Sequence, residues 1–344
     1  MNPIPVIIDT DPGLGEPGSD IDDGLAIALA LRSPELDVRA LTIVNGNVDA
    51  ITGTDVARRL LERLGHTEIP VVRGATEPLK RDMKPVRELF DAVLGGESGK
   101  SGSDTGTLLG PTTEEHAADF LTRSASEHPG EIVVIAIGPM TNLALAIQRD
   151  PAFASNVREL VLMAGSATRY AQNITVVGDF NAYVDPEALD IVLRSGAPIR
   201  MVGLDQTSQV MLNRDDAQML RNTSDPFSVW AAECTDAWID FLGRAFPKRA
   251  EHATSCFLHD PLVIAAVSHP ELLSWANAHV QAETVSELAR GLVVADRGLA
   301  LRPAGLLNAV VAVETDVDNF RRLFLARISA EPETHPGQHS TPKE

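Results

Sequence analysis

Val6-Ile7-Ile8-Asp9-Thr10-Asp11-Pro12-Gly13 and, shortly after, Ser19-Asp20-Ile21-Asp22-Asp23-Gly24-Leu25-Ala26-Ile27-Ala28 decide how this chain is read. An apolar, β-branched run stops abruptly at Asp9 and Asp11, the pattern of a buried strand that ends at a polar site. A turn-rich loop follows. A second acidic cluster then opens an amphipathic helix. Carboxylates gathered this tightly repel one another unless a cation sits between them. The stretch therefore predicts a strand–loop–helix unit with a hard divalent metal and a polar substrate at the strand end.

The same alternation continues along the chain. β-Branched runs at 6–8, 38–44, 132–137, 160–163 and 199–202 predict strands, and 22–31, 55–64, 114–126, 142–148 and 186–194 predict helices. Strands without polar alternation, each followed by a helix, indicate an α/β fold whose mostly parallel central sheet is flanked by helices. Ligands bind such sheets at the carboxyl ends of the strands, where Asp9 and Asp11 stand. No linker divides the chain, so residues 1–330 are expected to form one domain. The segment 95–110 reads as a loop rich in Gly, Ser and Thr, and 331–344, nearly devoid of apolar residues, as a disordered tail.

Composition narrows the partners. The chain has 344 residues, 44% of them hydrophobic, and a net charge of −19. Such an acidic surface repels nucleic acid and anionic membranes, leaving a cation and a small molecule as expected partners. The two cysteines, Cys234 and Cys256, lack metal-type spacing. With no signal peptide and no apolar run near the roughly 20 residues that span a bilayer, a cytoplasmic location is expected.

Several motifs have more than one reading. Gly13-Leu14-Gly15-Glu16-Pro17-Gly18 matches a dinucleotide fingerprint, but the surrounding carboxylates would repel a pyrophosphate and Pro17 lacks an N–H to offer it. Asp9-Thr10-Asp11 is similar to the D-x-D of haloacid-dehalogenase-like phosphatases, which bind magnesium; those continue with Thr or Val where Gly13 stands here. Asp260 before Pro261 fits an ordinary helix start, with Asp as N-cap and Pro at the first helical position. The same holds for Asp185-Pro186.

Taken together, the segments resemble one family, the calcium-dependent nucleoside N-ribohydrolases of the inosine-uridine preferring type. The resemblance runs from about residue 5 to about 325 and rests on an ordered set. Asp9-Thr10-Asp11-Pro12-Gly13 with Asp22-Asp23 comes first, then Asn45-Gly46-Asn47, Gly74-Ala75 and Gly138-Pro139-Met140-Thr141-Asn142. Val161-Leu162-Met163-Ala164-Gly165, Asp179-Phe180-Asn181, Gly203-Leu204-Asp205, His259-Asp260-Pro261 and Arg290-Gly291 complete it.

The resemblance implies hydrolysis of the bond between ribose and nucleobase. It implies a Ca2+ ion held by Asp11, Asp23, the Thr141 carbonyl and Asp260. Asp11 would deprotonate a calcium-bound water, and His259 would protonate the leaving base. Asp22, Asn47, Asn173, Asp179 and Asn181 match positions that hold ribose hydroxyls, and Met163 matches one beside the sugar. A homodimer or homotetramer is implied as well. A catalytically weak nucleoside- or sugar-binding relative is the alternative reading, and a metal-dependent phosphatase a more distant one. The chain departs from the family pattern in three places. Residues 14–21 are inserted before the Asp-Asp pair, Asp179 stands where Glu is usual, and the family's His-Gly segment before the loop at Gly95 is absent. The inserted loop is expected to cover the nucleobase, with Glu16 or Asp20 contacting the base or the 5′ end of the sugar.

Overall fold

Strands whose residues are apolar on both sides need cover on both faces, and this chain supplies it with helices. The computed structural model describes residues 2–93, 114–169, 171–298 and 306–329. In chain order its strands are β1 (Ile4–Thr10), β2 (Leu36–Ile43), β3 (Val71–Arg73), β4 (Val133–Ala136), β5 (Glu159–Met163), β6 (Ile199–Val202), β7 (Met211–Asn213), β8 (Ser255–Phe257), β9 (Leu273–Ala282), β10 (Val293–Asp296) and β11 (Ala309–Thr315). Among the described residues nine of these form one sheet, ordered β10-β9-β11-β6-β5-β4-β1-β2-β3, while β7 and β8 make a separate antiparallel ribbon. Every neighbouring pair from β3 across to β11 is parallel. Only β9 runs against its neighbours. The chain is thus a single α/β domain with a mostly parallel sheet, as its sequence predicts.

Alternate residues of each strand feed opposite cores. Val6 and Ile8 join Leu41, Ile43, Ile135 and Val161 on one face, covered by the helices Asp22–Leu31, Ala50–Leu64, His259–Ser268 and Val317–Ile328. Ile7 joins Val134, Leu160, Leu162 and Met201 on the other, covered by Ala117–Glu127, Thr141–Arg149 and Pro186–Leu193. The period of two along a strand is what sends one strand into two cores.

Capping chemistry explains where the helices depart from the expected bounds. The second helix begins at Ala50 rather than 55, because Asp49 accepts from the N–H groups of Ile51 and Thr52. The helix expected from 114 begins at Ala117, because His116 caps it through Ala118 N–H. Asp260 is not a cap at all. It lies inside the helix His259–Ser268, whose first residue follows Leu258. The long helix Pro226–Ala245 and the β9–β10 hairpin lie beyond the expected elements. The segments 95–110 and 331–344 fall outside the described residues.

From β1 the chain steps one way to β2 and β3, and the other way to β4, β5 and β6. The reversal lies between β1 and β4, where two parallel strand ends diverge and leave a crevice. Asp9 is the last β1 residue to pair with β4, opposite Ala136, and Asp11 follows directly.

Candidate active site

The crevice is floored by carboxylates from elements far apart in sequence. Asp11 follows β1; Asp22 and Asp23 open the helix Asp22–Leu31; Asp260 sits in the first turn of His259–Ser268. Asp22, Asp23 and Asp260 are buried and bring carboxylate oxygens within 4.8 Å of one another. Two helix N-termini interlock here. Asp22 Oδ2 accepts from the N–H groups of His259, at 3.1 Å, and Asp260, at 3.3 Å. No side chain of their own segment caps that helix, so Asp22 satisfies its orphan donors and fixes Asp260 beside the cluster.

Asp11 borders this group. Its N–H donates to Asp23 Oδ1 at 3.2 Å, and its Oδ2 accepts from Asn47 N–H at 2.6 Å. Asn47 also donates its side-chain amide to Asp23 Oδ2 at 2.9 Å. Thr10 donates its hydroxyl to Asp23 Oδ1. Two glycines make room for Asp11. A Cβ on Gly46 would lie 1.9 Å from Asp11 Oδ2, and one on Gly138 2.6 Å from Oδ1. Any side chain at either position would displace the carboxylate, which gives Asn45-Gly46-Asn47 and Gly138-Pro139 a physical reason.

Burial, then the Asp23 charge, pushes Asp11 well above the ordinary carboxylate range. Burial followed by Asp20 and Asp23 does the same to Asp22. Asp23 rises with burial despite its hydrogen bonds. For Asp260 the causes after burial are four carboxylates, Asp22, Asp23, Asp11 and Asp20. Asp11 Oδ1 is buried with no hydrogen-bond partner among the described residues. A group of oxygen donors this crowded and underpaired fits a hard divalent cation, which removes the repulsion and occupies the free oxygen. Thr141, the fourth ligand expected, opens the helix after β4 and donates its hydroxyl to Asp185 Oδ2 at 2.8 Å.

Above this floor lies a cleft of about 270 Å³, with Asp22, Asn47, Met163, Asn173, Asp179, Asn181, His259 and Asp260 in its walls. On one side Asn181 spends its amide N–H groups on Ile137 O, at 2.7 Å, and Met163 O, at 3.2 Å. Phe180 N–H donates to Asn173 Oδ1 at 2.9 Å. Asp179 Oδ2 caps the helix Phe180–Val184 through Ala182 N–H, whereas Oδ1 has no hydrogen-bond partner among the described residues. Burial raises Asp179 to about 6. The opposite wall is aromatic. Trp238 and Phe241 come from the helix Pro226–Ala245, and Phe246, His252 and Phe257 from the segment after it. Their one local signal was Asp225-Pro226, a helix start like Asp185-Pro186, with Asp225 accepting from Ser228 N–H.

His259 Nδ1 lies 2.7 Å from Thr207 Oγ1, and its ring packs 5.2 Å from that of Phe257. Burial, then His252, lowers His259 to about 4. The inserted loop contributes less than expected. Gly18, Ser19 and Asp20 reach the cleft, but Leu14 and Ile21 are buried in the core and Glu16 pairs with Arg59 instead of facing the pocket. The guanidinium of Arg59 outcompetes an already acidic cleft for that carboxylate.

The family model for inosine-uridine preferring nucleoside hydrolases matches residues 6–322. A probable uridine nucleosidase 1 of Oryza sativa subsp. japonica is 36% identical over 86% of this chain and 85% of its own length. The solved plant nucleoside hydrolase PpNRh1 superposes with a TM-score of 0.81 at 31% identity, covering 95% of this chain and 99% of that one. A purine-preferring ribonucleoside hydrolase from Gardnerella vaginalis gives 0.80 at 31% identity, over 94% and 98%.

Proposed function

The chain belongs to the inosine-uridine preferring nucleoside hydrolase family, and from that premise we propose that it cleaves the N-glycosidic bond of ribonucleosides with Asp11 as general base and His259 as acid to the leaving nucleobase. It is an N-glycosidase whose products are ribose and free base. The observation that carries the finer reading is the convergence of Asp11, Asp22, Asp23 and Asp260 at the switch point, with His259 tied through its own N–H to one of them.

Ca2+ is the cation this oxygen-only set suits best, with Asp11, Asp23, Asp260 and the Thr141 carbonyl to hold it. Such an ion lowers the pKa of bound water and grips neighbouring hydroxyls. Asp11 contributes a carboxylate whose Oδ2 is held by Asn47, while Oδ1, without a partner among the described residues, is left to face the cation and its water. Burial and Asp23 raise its proton affinity in the metal-free protein, and a bound cation would draw it back to the charged form that a base needs. Asp22, Asp179, Asn173 and Asn181 orient the sugar through the atoms their internal hydrogen bonds leave over. Attack at the anomeric carbon proceeds through an oxocarbenium-like state, as in glycoside hydrolysis. The aromatic wall faces the planar base.

His259 sits where the departing base needs a proton. Thr207 holds Nδ1 at 2.7 Å and so orients the ring, leaving Nε2 for the departing base. At a pKa of about 4 the free-site imidazole is neutral at pH 7. To protonate the departing base it would first take up a proton from solvent water, which the negative charge building on that base favours as the bond breaks. His259→Ala is expected to lower kcat/KM for inosine and uridine by about 10²–10⁴-fold. A p-nitrophenyl riboside, whose leaving group departs unprotonated, should lose far less; equal losses would make His259 a packing residue only. The whole reading is tested by assaying inosine, uridine and a nucleotide with and without a chelator. Release of ribose from the nucleosides, abolished by chelation, supports it. Release of phosphate from the nucleotide alone points to a phosphatase, and binding without turnover to a weak relative.

A further inference from the structure

The second histidine of the cleft, His252, belongs to neither the acidic floor nor the sugar wall. It lies in the short turn Ala250–Ala253 after the long helix, is 6% exposed, and lines the pocket. Its ring is fitted between two others, 5.6 Å from Phe246 and 5.7 Å from Phe257, the latter edge-on at 82°. Phe257 in turn contacts His259. One row of rings therefore runs from the pocket mouth to the residue expected to act on the leaving group. Within that row His252 has an unmet need. Its Nδ1 is buried and finds no hydrogen-bond partner among the described residues. A buried polar atom left unpaired is costly, and a position needed only to fill space between Phe246 and Phe257 would be better served by a third phenyl ring.

We infer that His252 is a specificity-determining residue that hydrogen-bonds the polar edge of the nucleobase. The inference rests on the nucleoside hydrolase reading and deepens it. A nucleobase is flat, matches the aromatic wall by its faces, and carries N–H donors and carbonyl or ring-nitrogen acceptors around its edge. A neutral imidazole offers one donor and one acceptor, so it can meet either kind of edge group. Burial, then the neighbouring Arg249 charge, lowers the His252 pKa and keeps the ring neutral, which agrees with this use. Because the contact is to the base and not the sugar, it bears on which ribonucleosides are accepted and leaves the riboside chemistry untouched.

The test is His252→Phe, which keeps a ring between Phe246 and Phe257 and removes both nitrogens, with His252→Asn as a second variant that restores an amide donor and acceptor. The expected result for His252→Phe is a loss of about tenfold or more in kcat/KM for uridine or inosine, unequal between the two. Hydrolysis of p-nitrophenyl riboside should stay within about threefold of wild type, since that leaving group offers no such edge. His252→Asn should regain part of the lost discrimination. If His252→Phe keeps the wild-type ratio of uridine to inosine, or loses activity equally on all three substrates, the inference is overturned while the hydrolase reading stands. Should His252→Phe not fold, an unchanged ratio in His252→Leu, which also lacks both nitrogens, overturns it equally. If the wild-type protein releases ribose from no ribonucleoside, the hydrolase reading fails and this inference falls with it.

Discussion

Asp260→Ala, and equally Asp23→Ala, will abolish divalent-cation binding and nucleoside hydrolysis together while the fold survives. Both side chains are buried and contribute carboxylate oxygens to one cluster. Removing either takes away a ligand that water cannot replace with the same charge. Loss of several kcal/mol of metal assistance corresponds to about 10³-fold or more in kcat/KM. Calorimetric titration with Ca2+ and turnover of inosine measure the two effects, and circular dichroism reports the fold. Retention of full activity after exhaustive chelation would sink the metal assignment.

The chelated wild-type protein should also show an unusual pH dependence. Asp9 is raised to about 7 and Asp20 to about 6, in both cases chiefly by burial. Unfolded, a carboxyl titrates near 3.9. Between those values the folded state binds more protons than the unfolded one, so unfolding free energy falls as pH rises from about 4 to about 7. The melting temperature without metal should therefore drop across that window, and added Ca2+ should recover most at the upper end. A chelated protein that gains stability with rising pH there would contradict the buried, underpaired carboxylates.

Ribosides should be preferred over 2′-deoxyribosides by a factor that can reach about 10⁴. Asp22 faces the cleft while its Oδ2 anchors the His259 helix, and Asp179 presents a buried Oδ1 with no partner among the described residues on the sugar wall. Sites built to meet hydroxyls reject a substrate lacking one, because the groups that should meet it stay buried and unpaired. Steady-state kinetics on inosine and 2′-deoxyinosine decide the matter. Similar kcat/KM for the two would mean that the carboxylates serve the cation alone.

Shortening the inserted loop 14–21 would cut into the core as well as the cleft. Leu14 and Ile21 belong to the core beside the helix Asp22–Leu31, and Glu16 is tied to Arg59 on Ala50–Leu64. Gly18 to Asp20 are the part that reaches the cleft. Sequence alone showed the insertion but gave no means of telling its buried residues from its exposed ones, because a loop has no period to reveal a face.

Local patterns were enough for much of this protein. The β-branched runs gave β1, β2, β4, β5 and β6 to within a residue or two, because a strand buried on both faces has no polar interruptions. Asp11, Asp22 and Asp23 were legible from their place at a strand end and a helix start, and the ordered set of short segments carried the family. Tertiary structure decided the rest. The neighbour order β4-β1-β2 set the crevice at Asp11 and brought Gly46 and Gly138 against its carboxylate. Asp22 caps a helix that begins at His259, a partnership between side chain and backbone that no local spacing encodes. The strand β9 escaped notice because its exposed and half-buried positions, Asn277 and His279 among them, break the apolar run. The aromatic wall and His252 became visible only once the helix Pro226–Ala245 had folded over the strand ends. A site is a meeting of surfaces, and which surfaces meet is set by long-range pairing and burial, whereas the period of a strand or a helix is set by the residues within it.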